Sequence, residues 1–64
     1  MPATAEVAEQ AQHHVERGRR VITRQKQLIE KLAAEGRDTT AADGLLAVFE
    51  SVQKVLERDL AALS

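Results

Sequence analysis

Between Val7 and Leu32, and again between Ala42 and Leu63, apolar side chains recur every three or four residues, and no proline interrupts either run. That period belongs to a helix with one apolar side; a strand would alternate every second residue. The single proline, Pro2, stands where it can precede or begin a helix without costing an internal hydrogen bond. In the first run the apolar positions are Val7, Ala11, Val15, Val21, Ile22, Leu28, Ile29 and Leu32, which predicts a helix over about residues 4–35. Gly36 can adopt the left-handed conformation that commonly ends a helix and closes this one. Beyond it, Asp38, Thr39 and Thr40 offer oxygens to the free N–H groups of a new first turn, and Thr40-Ala41-Ala42-Asp43 has the form of a capping box. A second helix is expected over about 40–63, with Ala42, Leu45, Phe49, Val52, Leu56 and Leu63 as its seam, broken only at Asp59, where Leu60 stands in. Gly44 is its weak point, costing about 1 kcal/mol relative to Ala. A turn of residues 36–39 makes two long helices antiparallel neighbours. The expected fold is therefore all-α, residues 1–64 forming one antiparallel two-helix hairpin, with the stretch before Ala11 overhanging the end of the second helix.

A chain of 64 residues buries little on its own, and with no cysteine it has neither disulfides nor the usual structural zinc to add stability. Its 44% hydrophobic and 30% charged residues are a globular balance, so disorder is not the way out. The apolar stripes are also too wide for one seam. In the first helix Ala11, Gly18, Gln25 and Leu32 form one seven-residue column; Val7, His14, Val21, Leu28 and Ala8, Val15, Ile22, Ile29 form two more beside it. In the second, Leu46 and Leu60 flank the seam on one side, and Val48 and Val55 on the other. A two-helix seam uses two columns, so each helix is expected to meet more than one neighbour. Two hairpins face to face make a four-helix bundle, and a homodimer related by a twofold axis is the commonest way for identical chains to do so. The residues expected at that oligomer interface are Val15, Gly18, Val21, Ile22, Gln25, Leu28, Ile29, Leu32, Leu45, Phe49, Val52 and Leu56. The alternative is a monomer whose exposed stripe docks on a different protein. Gly18 and Gln25 are odd choices for a core column: a small residue permits close helix approach and a buried amide can fix register, or both face a partly solvated seam.

Little in the chain points to catalysis. His13 and His14 are adjacent, point about 100° apart on a helix and cannot chelate one metal together. The glycines at 18, 36 and 44 are isolated, so there is no phosphate loop, and neither paired carboxylates nor a Ser-His-Asp set converge. No enzyme, cofactor or metal is expected. The suggestive pattern is basic: Arg17, Arg20, Arg24 and Lys31 form a stripe along one flank of the first helix, a possible nucleic-acid contact if a dimer joined two of them. Arg19 and Lys26 lie towards the other flank. Against a nucleic-acid reading, the net charge is -1 and the one aromatic residue, Phe49, sits in the core positions, leaving no stacking platform. Asp43, Glu50 and Glu57 form an acidic stripe that can pair with basic residues between helices or chains. No apolar run is long enough to span a bilayer and no basic-apolar leader pattern opens the chain, so no membrane partner is expected and a cytoplasmic location follows by default.

Over residues 13–53 the chain resembles a group of short, uncharacterised proteobacterial proteins, through Gly18, Arg24-Gln25, Leu28-Ile29, Leu32, Gly36, Asp38-Thr39, Ala42, Leu45-Leu46 and Phe49. That resemblance implies a helical hairpin and brings no activity with it. Where those proteins have His-rich endings, this chain has Lys54-Val55-Leu56-Glu57-Arg58, so no role of such histidines carries over. In architecture alone, with no sequence match, it is similar to the Rop-like regulators of plasmid copy number, hairpins that dimerise and bind paired RNA loops. The functional expectation is a non-enzymatic interaction and oligomerisation module; the alternative is a small RNA- or DNA-binding regulator using the stripe on the first helix.

Overall fold

The computed structural model describes residues 4–63 as two helices, α1 (Thr4–Ala34) and α2 (Thr40–Leu63), which double back on each other in a rod of 51 × 16 × 14 Å. Pro2 lies outside the described residues. The all-α hairpin expected from the apolar period is what forms.

The turn is built from its own hydrogen bonds. Gly36 has φ 70°, and around it the Gly36 N–H donates to Ala33 O at 3.0 Å and the Arg37 N–H to Leu32 O at 2.9 Å. This paired arrangement satisfies the last carbonyls of α1, and only glycine enters the left-handed region without steric cost. Next, Asp38 Oδ1 accepts both the Thr40 N–H at 2.9 Å and the Thr40 hydroxyl at 2.7 Å. The capping box expected at Thr40 is therefore not what forms. The first α2 bond runs from the Asp43 N–H to Thr39 O at 2.8 Å, so Thr39 is the cap residue, and its hydroxyl donates to Asp43 Oδ2 at 2.9 Å.

Packing follows a four-three rhythm on both helices. α1 turns Ala11, Val15, Gly18, Ile22, Gln25, Ile29 and Leu32 inward, and α2 turns Ala42, Leu46, Phe49, Gln53, Leu56 and Leu60 to meet them, all buried or half-buried. This corrects the expected α2 seam: Leu46 and Gln53 occupy the places given to Leu45 and Val52, which stand 46% and 52% exposed. The rhythm runs through a polar residue, and a reading that follows apolar side chains steps over it. A second correction concerns the open end. α2 reaches far enough back for Leu63 to share a groove with Val7, so the stretch before Ala11 is not a free overhang; Val7 and Ala8 are half-buried.

One seam is a thin core. Among the described residues Val15 is the single fully buried apolar side chain. The accessible surface is 5009 Å², whereas a compact monomer of this mass, 7.0 kDa, would present roughly 4,000 Å².

Two tests follow from the helix ends and faces. Nothing lies within 4 Å of a Cβ added at Gly44, so Gly44→Ala should raise stability in urea unfolding by about 1 kcal/mol. The Thr40 hydroxyl, and after it the Thr40 N–H, stabilise the Asp38 carboxylate and hold its pKa below the ordinary 3.8. Whatever stability that charge contributes is present above 3.8 and is lost as pH falls through the lowered value. An NMR titration should find Asp38 below 3.8, and Thr40→Val should move it back up.

Candidate interaction surface

With one seam facing inward, the rest of each helix contributes to one of two broad faces. On the first, Arg19 and Lys26 of α1 run opposite Asp43, Glu50 and Glu57 of α2. Arg19 Nη2 meets Glu57 Oε1 at 3.3 Å, the one ion pair among the described residues. Both side chains are exposed, so the pair contributes at most about 1 kcal/mol. Its value lies in charge pattern: cations on α1 and anions on α2 complement each other within the chain.

The second face is different. Here α1 presents Val7, His14, Val21 and Leu28, and α2 presents a second row with the same four-three spacing, Leu45, Val48, Val52, Val55, Asp59 and Ala62. Among the described residues, the exposed large apolar side chains Leu28, Leu45, Val48, Val52 and Val55 lie on this face, and the sixth, Leu63, ends the inner row and lines a groove with Val7. Two shallow grooves run along it and meet at His14 and Leu56. One, of about 390 Å³, lies between Val21 of α1 and Val48 and Val52 of α2; the other, of about 230 Å³, lies between Val7 and Leu63. α2 thus has two seams, one used inside the hairpin and one open.

The seam between the helices explains the two polar core residues. Gln53, 6% exposed, donates from Nε2 to Val15 O at 2.9 Å, and Gln25, 8% exposed, donates from Nε2 to Ala42 O at 2.9 Å. Each helix therefore sends one buried amide to a backbone carbonyl of the other, using a lone pair that the helical bond leaves free. Among the described residues no buried side-chain nitrogen or oxygen lacks a partner. Gly18 makes room for one of these amides: a Cβ at Gly18 would overlap Gln53 Oε1 and sit 2.9 Å from its Cδ. The two alternatives weighed for Gly18 and Gln25 resolve in favour of a close-fitting, hydrogen-bonded seam. Gln53 escaped the sequence reading, although continuing the four-three count through polar residues would have found it.

The expected interface residues divide between the faces. Val15 and Gln25 are buried, and Gly18, Ile22, Ile29, Leu32, Phe49 and Leu56 half-buried, in the seam between the chain's own helices. Val21 is half-buried at the groove, and Leu28, Leu45 and Val52 are exposed on the open face. Val48 and Val55, read from sequence only as flanks, stand as far out as any apolar residue on it. Arg17, Arg24 and Lys31 form a column at the α1 edge of this face, Arg20 lies one column further round, and all four are exposed. Arg17 also borders the larger groove. His13 and His14 are exposed, and no group of His, Asp and Glu among the described residues could hold a metal ion.

No protein-family model matches the chain, and neither does any curated protein or solved structure. Among the described residues no helix is long and apolar enough to cross a membrane.

The fit between Gly18 and Gln53 can be tested by a double-mutant cycle. Alone, Gly18→Ala should lower stability by about 1 kcal/mol, because displacing the Gln53 amide outweighs the gain of about 1 kcal/mol in helix propensity. In a Gln53→Ala background the same change should raise stability by about 1 kcal/mol, a coupling of about 2 kcal/mol in urea unfolding.

Proposed function

We propose that this chain is a non-enzymatic self-association module, a helical hairpin that pairs with a second copy through its open apolar face to make a four-helix bundle. The observation that carries the reading is the gathering of five of the six exposed large apolar side chains of the described residues on one face, while the opposite face is charged and holds the Arg19–Glu57 ion pair. Surface area supports it. The hairpin exposes about 1,000 Å² more than a compact monomer of its mass, close to the roughly 800 Å² that each partner buries in a standard interface. Removing the apolar side chains of the open face from water is the driving force.

The second reading, nucleic-acid binding, draws on Arg17, Arg20, Arg24 and Lys31, none of which has a carboxylate partner among the described residues. Binding of RNA or DNA that weakens steeply with salt and is lost on Arg20→Glu with Arg24→Glu would favour it. Four cations on a chain of net charge -1 are a weaker argument than a largely apolar face.

Size exclusion with light scattering should give twice the 7.0 kDa chain mass at micromolar concentration, and the melting midpoint should rise with protein concentration. Val48→Glu with Val52→Glu carries charge into the seam without opposing helix formation. It should raise the dissociation constant at least about 100-fold, equivalent to about 2.7 kcal/mol. A wild-type chain that stays monomeric and melts at a concentration-independent midpoint would sink the reading.

A further inference from the structure

We infer that the two copies join through α2 packed on α2, antiparallel, with the two turns at opposite ends of the assembly; this rests on the self-association proposed above and specifies its geometry. The hairpin's two helices are not equivalent on the open face. Next to its apolar column α2 carries Val48, Val55 and Ala62, whereas the corresponding column of α1 is Gln10, Arg17, Arg24 and Lys31. A second seam is therefore complete on α2 and closed off by cations on α1. Facing α1 against its own copy would bring like charges together; facing α2 against its copy leaves those cations on the far side of α1, in water.

Within the α2 row the spacing selects the direction. Leu45, Val48, Val52 and Val55 are spaced three, four and three apart, a pattern that reads the same from either end. Antiparallel pairing about a twofold axis between Val48 and Val52 matches it to itself: Leu45 faces the other copy's Val55, and Val48 faces its Val52. All four side chains, each exposed in the single hairpin, then meet an apolar partner. Asp59 is the one charge in the row. Parallel pairing would hold two Asp59 carboxylates against each other inside the seam. Antiparallel pairing instead places each opposite Ala41 of the other α2, about 27 Å along the seam from its counterpart.

The chain has no cysteine, so introduced cysteines report pairing without background. Leu45→Cys and Val55→Cys, one of them isotopically labelled, are oxidised separately and as a refolded mixture, with circular dichroism checking helicity and light scattering the dimer. Expected is a disulfide-linked heterodimer by intact mass in the mixture and none from either variant alone. Like positions lie about 15 Å apart along the antiparallel pair, and a disulfide needs Cα atoms within about 7 Å. Ala62→Cys, an exposed position that carries little packing, should likewise stay unlinked. Linkage of Leu45→Cys or Ala62→Cys alone overturns the antiparallel seam, as does an unlinked mixture that still scatters as a dimer; both leave self-association standing. A monomer throughout overturns both.

Discussion

Two helices laid side by side touch along a single line, and almost everything else about this chain follows from how little that line can hide. Each rod can turn one narrow row of side chains to the other; here five of those thirteen residues are small or polar, and among the described residues Val15 is the one apolar side chain fully removed from water. The remaining apolar side chains have nowhere to go within the hairpin. They collect on one side because the other is committed to charge, Arg19 and Lys26 against Glu50 and Glu57. The apolar excess is therefore a surface with a direction.

A seam so thin is held in place more by fit than by burial. Gln25 and Gln53 each reach the backbone of the opposite helix, at two separate points along the rod. Sliding one helix past the other would strand both amides in a dry contact, and an unsatisfied buried amide costs more than a well-made bond contributes. Aliphatic side chains at those positions would pack acceptably in several alignments; amides bonded to particular carbonyls do not. Gly18 belongs to the same device, since the space it leaves is filled by the Gln53 side chain. Register specificity takes the place of apolar burial at these positions.

The fold was legible because its signals are local. A period of three and four, glycine at 36 and oxygen-bearing residues at 38–40 each act within one or two helical turns, so neighbouring sequence is enough to read them. The division of α2 into an inner and an outer row was not legible in the same way. Leu45 and Leu46, like Val52 and Gln53, are adjacent, and which of each pair turns inward depends on the facing helix. An apolar ranking favours Val52 over Gln53, yet the glutamine goes inside because Val15 offers a carbonyl and Gly18 a space. That complementarity spans 38 positions of sequence and leaves no trace in either segment alone. The wide stripes did show that one hairpin could not cover its apolar residues; which of them it would cover required the pairing itself.

Every bond across the seam joins α1 to α2, and none depends on the two belonging to the same chain. An arm from another molecule would find the same carbonyls for both glutamines and the same carboxylate for Arg19. What chooses the folded-back form is the short stretch from Glu35 to Thr39, where a left-handed glycine and an aspartate gripping Thr40 turn the backbone around. Connectivity is thus decided by a handful of backbone angles at one tip, while affinity is decided along the whole length of the rod.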